Sequence, residues 1–386
     1  MMDPYRALTR RLSRRALLRG AGLALGAAAL AAACRDDGEG ADGGGTPTMT
    51  TNATPETALY FPPSTGDRWE AVPPGKAGWD TAKLDELATW AGGLNTTGLL
   101  LLHRGRILLE RYFENAGQHS VLDVASAQKS AVSFLVGVAQ EQGLLRIEDA
   151  VSQHLGVGWS KAPAEKEALI TVRHLITMSS GLNDQWESVA DAGTTWYYNN
   201  TAYHLSKRVL GSATGVSMQQ YLDQQLGARI GLRETEWRER PFMKMPDGVP
   251  MTGLFMSARD MGRFGLLMLA GGSWEGEDVI VDKGYLNDSV STSQQLNLSY
   301  GYLWWLNGKA SHVLPGANPQ PRDGSLIPPA PDDVYAAMGA GDQRIYVAPG
   351  LELVVVRQGR AAFGAAAARS AFDAELWTRI MAAAPA

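Results

Sequence analysis

The hydrophobic period of this chain changes twice along its length, and the order of those changes limits the folds open to it. Residues 80–91, DTAKLDELATWA, set apolar residues at helical spacing behind an aspartate that can cap. Residues 97–113, TGLLLLHRGRILLERYF, then give two β-rich runs around Arg104-Gly105, which is a hairpin signal. From Ser126 to about Gln142 the spacing is helical and ends at Gly143, where a C-terminal glycine belongs. Residues 171–182, 201–215, 217–232 and 257–272 continue in that period, the last with an S-x-x-D capping pattern. Short β-branched or aromatic runs return at 300–307, 333–341, 343–350 and 351–359, and residues 369–384 close the chain as a helix. This order implies an α+β fold: an antiparallel sheet built from both ends of the chain and flanked by helices, with a helical region, roughly 126–250, inserted between them.

The segment ahead of that domain is of a different kind. An arginine-rich stretch, RALTRRLSRRALLRG, precedes AGLALGAAALAAAC, a run of small and apolar residues ending at Cys34. Its apolar part, about 14 residues, is shorter than the roughly 20 that a membrane span needs, and it reads as the core of an export signal. Ser13-Arg14-Arg15-Ala16-Leu17-Leu18 resembles a twin-arginine signal. Ala31-Ala32-Ala33-Cys34 resembles a lipobox, with Leu30 one place early. The expectation is a signal peptide over 1–34 with lipid attached at Cys34; simple cleavage or an uncleaved anchor are the alternatives. Residues 35–57, dominated by Gly, Asp and Thr, read as a flexible linker, so the folded domain is expected over 58–386. On this reading the protein is an exported, membrane-anchored lipoprotein.

Composition excludes other classes. With 386 residues, 45% hydrophobic and 19% charged, the chain can bury a sizeable core and is not disordered. Its net charge of -5, with no Lys/Arg cluster inside the domain, argues against a nucleic-acid partner. Cys34 is the sole cysteine, which leaves the domain without a disulfide of its own or a cysteine-ligated metal.

At Ser126-Ala127-Gln128-Lys129 a serine and a lysine stand one helical turn apart at a helix head. Under any reading Ser126 is a natural N-cap. It also has a chemical reading, because residues i and i+3 share a helix face and the Lys129 amine can approach the Ser126 hydroxyl. The helix N-terminus and burial both disfavour a second positive charge there, which lowers the lysine pKa toward that of a useful base. Serine hydrolysis needs such a base, together with donors for the oxyanion. Residues 194–211, TTWYYNNTAYHLSKRVLG, hold a Tyr-x-Asn pair just before a helix in two registers, Tyr197 with Asn199 and Tyr198 with Asn200. Taken singly, each has an ordinary role, the tyrosine as a satisfied core residue and the asparagine as a turn or cap. His174 and His204 fall in helical segments and read as packing or surface residues. Trp304-Trp305 reads as core and cleft wall, with alternation aiming one ring at a substrate. Neither H-E-x-x-H nor G-x-S-x-G occurs.

These residues, in this order, resemble the serine β-lactamases of class C and their relatives: D,D-peptidases, family VIII carboxylesterases and 6-aminohexanoate-dimer hydrolases. The resemblance runs over most of 80–360, through VASAQKS, VRHLITMSSGL, TGLFMSARDMGRFG, YGYLWWLN and GDQRIYVAPGLELVVV. Asn200-Thr201-Ala202-Tyr203 matches the continuation of the family's second motif and so selects Tyr198 and Asn200. The resemblance implies a sheet flanked by helices, an inserted all-helical region and a site in the cleft between them. It implies Ser126 as nucleophile, Lys129 and Tyr198 managing its proton, Asn200 orienting them, and the backbone N–H groups of Ser126 and Ala340 holding an oxyanion. No metal or organic cofactor is implied. The third motif departs from the family's K-T-G or H-T-G, since Met338-Gly339-Ala340-Gly341 stands there without a cation. Arg344 is the nearest replacement on the following strand. A small or oligomeric ester or amide is the expected substrate, cleaved through an acyl-enzyme. The alternatives are a β-lactamase or D,D-peptidase, and a catalytically silent relative that binds peptidoglycan fragments or a partner protein.

Overall fold

The computed structural model describes residues 58–316, 319–363 and 369–385. The expected signal peptide, lipobox cysteine and linker lie outside the described residues. No helix among the described residues is long and apolar enough to cross a membrane.

Both ends of the domain contribute to one antiparallel sheet, as the periodicity implies. Strands β1 (Thr96–His103) and β2 (Arg106–Tyr112) form the early hairpin. The main sheet is completed by β6 (Trp305–Leu306), β7 (Tyr335–Gly339), β8 (Gln343–Ala348) and β9 (Leu353–Gly359), in the order β2-β1-β9-β8-β7-β6. Leu101 lies opposite Val355 across the seam where the two ends of the chain meet. Leu99 to Leu102 form an unbroken apolar run because both faces of this strand are covered, and all four are fully buried. Each contributes on the order of 2 kcal/mol by leaving water.

Helices α1 (Thr81–Gly92) and α6 (Arg369–Ala383) pack together, with Trp90 stacked on Phe372 at 5.7 Å. Helix α5 (Ala258–Leu269) lies close against the sheet through Gly262 and Gly265, where a Cβ would come within 2.7 Å of Leu100 and 2.5 Å of Val354. Ser257 caps α5 by accepting from the Asp260 N–H, as the S-x-x-D pattern indicates. Asp260 does not reach back to complete a capping box; it accepts from the Arg233 and Glu234 N–H groups and the Thr235 hydroxyl.

The inserted region holds α2 (Gln128–Glu141), α3 (Val172–Ile176) and α4 (Asn200–Thr214). Gln128 through Ala139 of α2 are all buried, so this helix is a central post covered on every side. Three sequence expectations change here. The helix expected over 171–182 is only α3, closed by left-handed Met178. The one over 217–232 is broken by a π turn at Asp223–Gly227. The helical region also stops before 250. A second sheet, in the order β3 (Val121–Asp123), β5 (Pro250–Ser257), β4 (Glu236–Lys244), takes the intervening residues. The strand expected over 300–307 is regular only at β6, because Leu303 adopts a positive φ and turns the chain so that Tyr300 bridges Trp305.

Candidate active site

The helical region and the end of the main sheet face each other across a cavity of about 770 Å³, lined by residues that include Ser126, Lys129, Tyr198, Asn200 and Ala340. All five sequence candidates in the described region therefore border one space. Ser126 sits in a single 3₁₀ turn, Ala125–Ala127, that runs directly into α2. The expected capping role is absent: the cap position falls to Ala127, already helical at φ -60°, and no side chain caps. The Ser126 hydroxyl accepts instead from Lys129 Nζ at 3.1 Å.

Lys129 is 3% exposed, and its amine also donates to Asn200 Oδ1 at 2.9 Å. The rings of Tyr198 and Tyr203 lie 4.8 and 4.5 Å from that amine. Burial pushes its pKa down to about 7, with the Arg240 guanidinium adding to the shift. A lysine in this state exchanges its proton near neutrality, as a general base must.

The two Tyr-x-Asn registers separate cleanly. Asn199 is the N-cap of α4, accepting from the Ala202 N–H at 2.9 Å and donating to the Leu182 and Asn183 carbonyls. Tyr197 is at the rim, donating to Asp184 Oδ2 at 2.9 Å. One residue further on, Asn200 reaches Lys129, and Tyr198 stacks on Trp305 at 6.0 Å between centroids. Trp304 points the other way, fully buried against Phe264 and Tyr335. His174 completes a capping box with Thr171. Of the two roles open to His204, packing or surface, it takes the buried one but also lines the cavity, with Nδ1 2.8 Å from the Asn200 carbonyl; burial pushes its pKa down to about 3.

On the opposite wall, β7 ends at Gly339, where a Cβ would stand 2.2 Å from the Val124 carbonyl oxygen and 3.1 Å from the Ala127 nitrogen. Only glycine lets the strand approach the nucleophile turn this closely. Ala340 follows as the first residue of a 3₁₀ turn. Arg344 does line the cavity, yet its guanidinium is committed. It donates to Asp373 Oδ1 at 2.7 Å, to Asp342 Oδ1 at 3.0 Å and to the Gly339 carbonyl at 2.7 Å. Burial is the largest influence and opposes its charge, but Asp373, Tyr346 and Asp342 together outweigh it, so its pKa moves up.

Sequence reasoning missed Asp123, Arg240 and Asp184 on the cavity wall and Lys207 behind it. Asp123 accepts from the Ala125 N–H at 2.8 Å and is held by both forks of Arg240, with Arg240 Nε at 2.7 Å. Asp184 fixes Tyr197. Behind the wall, Lys207 is buried and donates to Gln128 Oε1, the Thr252 carbonyl and the Thr252 hydroxyl, with its pKa driven well down by burial and by Arg240. Arg240 and Lys207 carry no local signal, because their partners Asp123 and Gln128 lie 117 and 79 residues away in sequence.

A buried lysine shared by a serine and an asparagine, in a cleft between such a sheet and such a helical region, is the arrangement of the serine β-lactamase and penicillin-binding-protein class. The Beta-lactamase family model matches residues 81–357, and the chain belongs to that family. An uncharacterized protein of Alkalihalophilus pseudofirmus is 22% identical over 259 residues, which span 58% of this chain and 73% of that one. Among solved structures, a Bacillus anthracis protein provisionally assigned as a 6-aminohexanoate-dimer hydrolase superposes with a TM-score of 0.61 at 16% identity, over 84% of this chain and 89% of its own. A class C β-lactamase superposes with a TM-score of 0.57 at 13% identity, over 78% and 95%. At these identities the structural likenesses establish the fold. Together with the family match they make the chain a serine β-lactamase-family hydrolase.

Proposed function

We propose that the protein is an exported serine hydrolase that cleaves uncharged esters or amides through an acyl-enzyme on Ser126. The observation that carries this reading is the desolvated Lys129 amine, 3.1 Å from Ser126 Oγ and held by Asn200. In the proposed cycle Lys129, with Tyr198, takes the Ser126 proton as Oγ attacks the carbonyl carbon. The oxyanion forms against the backbone N–H groups of Ser126 and Ala340, two residues that line the cavity. The proton then goes to the leaving group, and water repeats the sequence on the acyl-enzyme.

The charge balance of the cavity supports the substrate class. Met338 stands where the family carries a cation, and the two arginines among the described lining residues, Arg240 and Arg344, are already paired with Asp123, Asp342 and Asp373. A substrate carboxylate entering this space would lose water without finding an uncommitted arginine among the described residues. The test is fluorophosphonate labelling of wild type and Ser126→Ala, then kcat/KM for p-nitrophenyl butyrate against benzylpenicillin. Labelling confined to Ser126 and a much higher value for the ester are expected. Labelling at another serine, or an equal or higher value for benzylpenicillin, overturns the reading. For location, we propose a lipid on Cys34 that holds the domain at the outer face of a membrane. Metabolic palmitate labelling of wild type but not of Cys34→Ser is the expected result, and equal labelling of both rejects it.

A further inference from the structure

The residue before the nucleophile is under strain. Ala125 has φ +49°, a left-handed conformation that a residue with a Cβ adopts only when its surroundings hold it there. Its N–H donates to Asp123 Oδ1, and both oxygens of Asp123 are taken by the Arg240 fork. Arg240 comes from β4, which pairs with β5, and β5 pairs with β3, the strand that ends at Asp123. The guanidinium lies flat across Gly253 of β5, where a Cβ would come within 2.5 Å of Arg240 Nε. Val124 is tied to the same strand, its N–H donating to the Leu254 carbonyl at 3.0 Å. The second sheet thus converges on the three residues that lead into Ser126.

We propose that Asp123 and Arg240 form a clamp that holds Ala125 in its left-handed conformation and thereby positions the Ser126 hydroxyl against Lys129. The clamp rests on the assignment of Ser126 as nucleophile. Neither residue takes a proton or touches the reacting atoms; both are positioning residues. A bidentate arginine–carboxylate pair suits this task because its two parallel hydrogen bonds fix direction as well as distance. The clamp also keeps a positive charge near Lys129. The other titratable groups around that amine are Tyr198, Tyr203, His204, Lys207 and Asp123 itself. Removing the guanidinium takes away a charge that depresses the lysine pKa and leaves the Asp123 carboxylate unpaired. Both changes favour the protonated amine.

The experiment uses the full-length protein with p-nitrophenyl butyrate as probe. Asp123→Asn is expected to lower kcat by about 10- to 100-fold, the scale of a misplaced catalytic group, with KM changed less than about threefold. Adding Ala125→Gly to it should recover at least about tenfold, because glycine enters the left-handed region without steric cost. Gly253→Ala, which displaces the guanidinium without altering any ionisable group, should lower kcat by about tenfold. Arg240→Met should move the acid limb of the pH–rate profile to higher pH. A uniform loss of folding would produce neither the glycine rescue nor the pH shift. Thermal melts identify any variant that fails to fold, and Gly253→Ala then decides alone. Wild-type kcat in folded Asp123→Asn or Gly253→Ala, or no rescue by Ala125→Gly, overturns the clamp. Persistent fluorophosphonate labelling in Ser126→Ala defeats the nucleophile assignment instead, so the two failures are distinguishable.

Discussion

The two walls of the cavity each bury a cation, and they treat it in opposite ways. On the helical wall Lys129 has a serine and an asparagine for partners and no carboxylate, and its pKa falls to about 7. On the sheet wall Arg344 has two aspartates and two carbonyls, and its pKa rises. A buried charge without a counter-charge gives up its proton easily, whereas one that is fully paired keeps it and holds structure. Lys129 is placed for proton transfer at some cost in stability, and Arg344 is placed for stability with no proton to give.

The contrast can be broken first at its strongest point. Ser126→Ala should abolish turnover, and Lys129→Met should lower kcat/KM by about 10³-fold or more, while its melting temperature stays level or rises because a buried amine without a counter-charge is gone. A drop in melting temperature comparable to that of an Arg344 variant would erase the distinction between the walls. Arg344→Met is expected to do the converse and cost about 3–5 kcal/mol of stability in urea unfolding, since Asp373 would be left buried without its partner. Next in size, Tyr198→Phe should lower kcat/KM by about 10²-fold, within the range of a lost general acid–base contact. Tyr197→Phe, whose hydroxyl serves only Asp184 at the rim, should change it by less than about threefold, and the reverse order in steady-state assays would move the motif by one residue. The smallest effect is a titration: kcat/KM should rise about tenfold per pH unit toward an apparent pKa of about 7, and level off above it as the Lys129 amine becomes neutral.

The helical wall was legible in the sequence and the sheet wall only in outline. Ser126 and Lys129 are three residues apart, so helical periodicity brings them together. Spacing left two Tyr-x-Asn registers open, and only the resemblance of Asn200-Thr201-Ala202-Tyr203 to the family's second motif selected Tyr198 and Asn200. The roles of Arg240 and Arg344 depend instead on Asp123, 117 residues away, and on Asp373, 29 residues away. No local rule reports such a pairing. The hairpin β4–β5 escaped for a related reason: EWRERPFMK is mostly exposed, charged and interrupted by Pro241, so it lacks the alternation of a half-buried strand. At Leu303 and Met178, tertiary packing overrides local preference, and both residues hold positive φ angles that their side chains do not favour.

The seam where Leu101 meets Val355 sets the order in which the molecule can mature. On the ribosome Ser126 and Lys129 emerge well before the strand beside β1, whose Val355 is made roughly 250 residues after Leu101. Closing a loop of roughly 250 residues adds only about 0.6 kcal/mol for each doubling of its length, so the penalty in stability is small. The penalty in time is larger, because contacts this distant form slowly. Until Val355 arrives, four consecutive leucines of β1 lack their partner strand and present an open edge on which another nascent chain could pair.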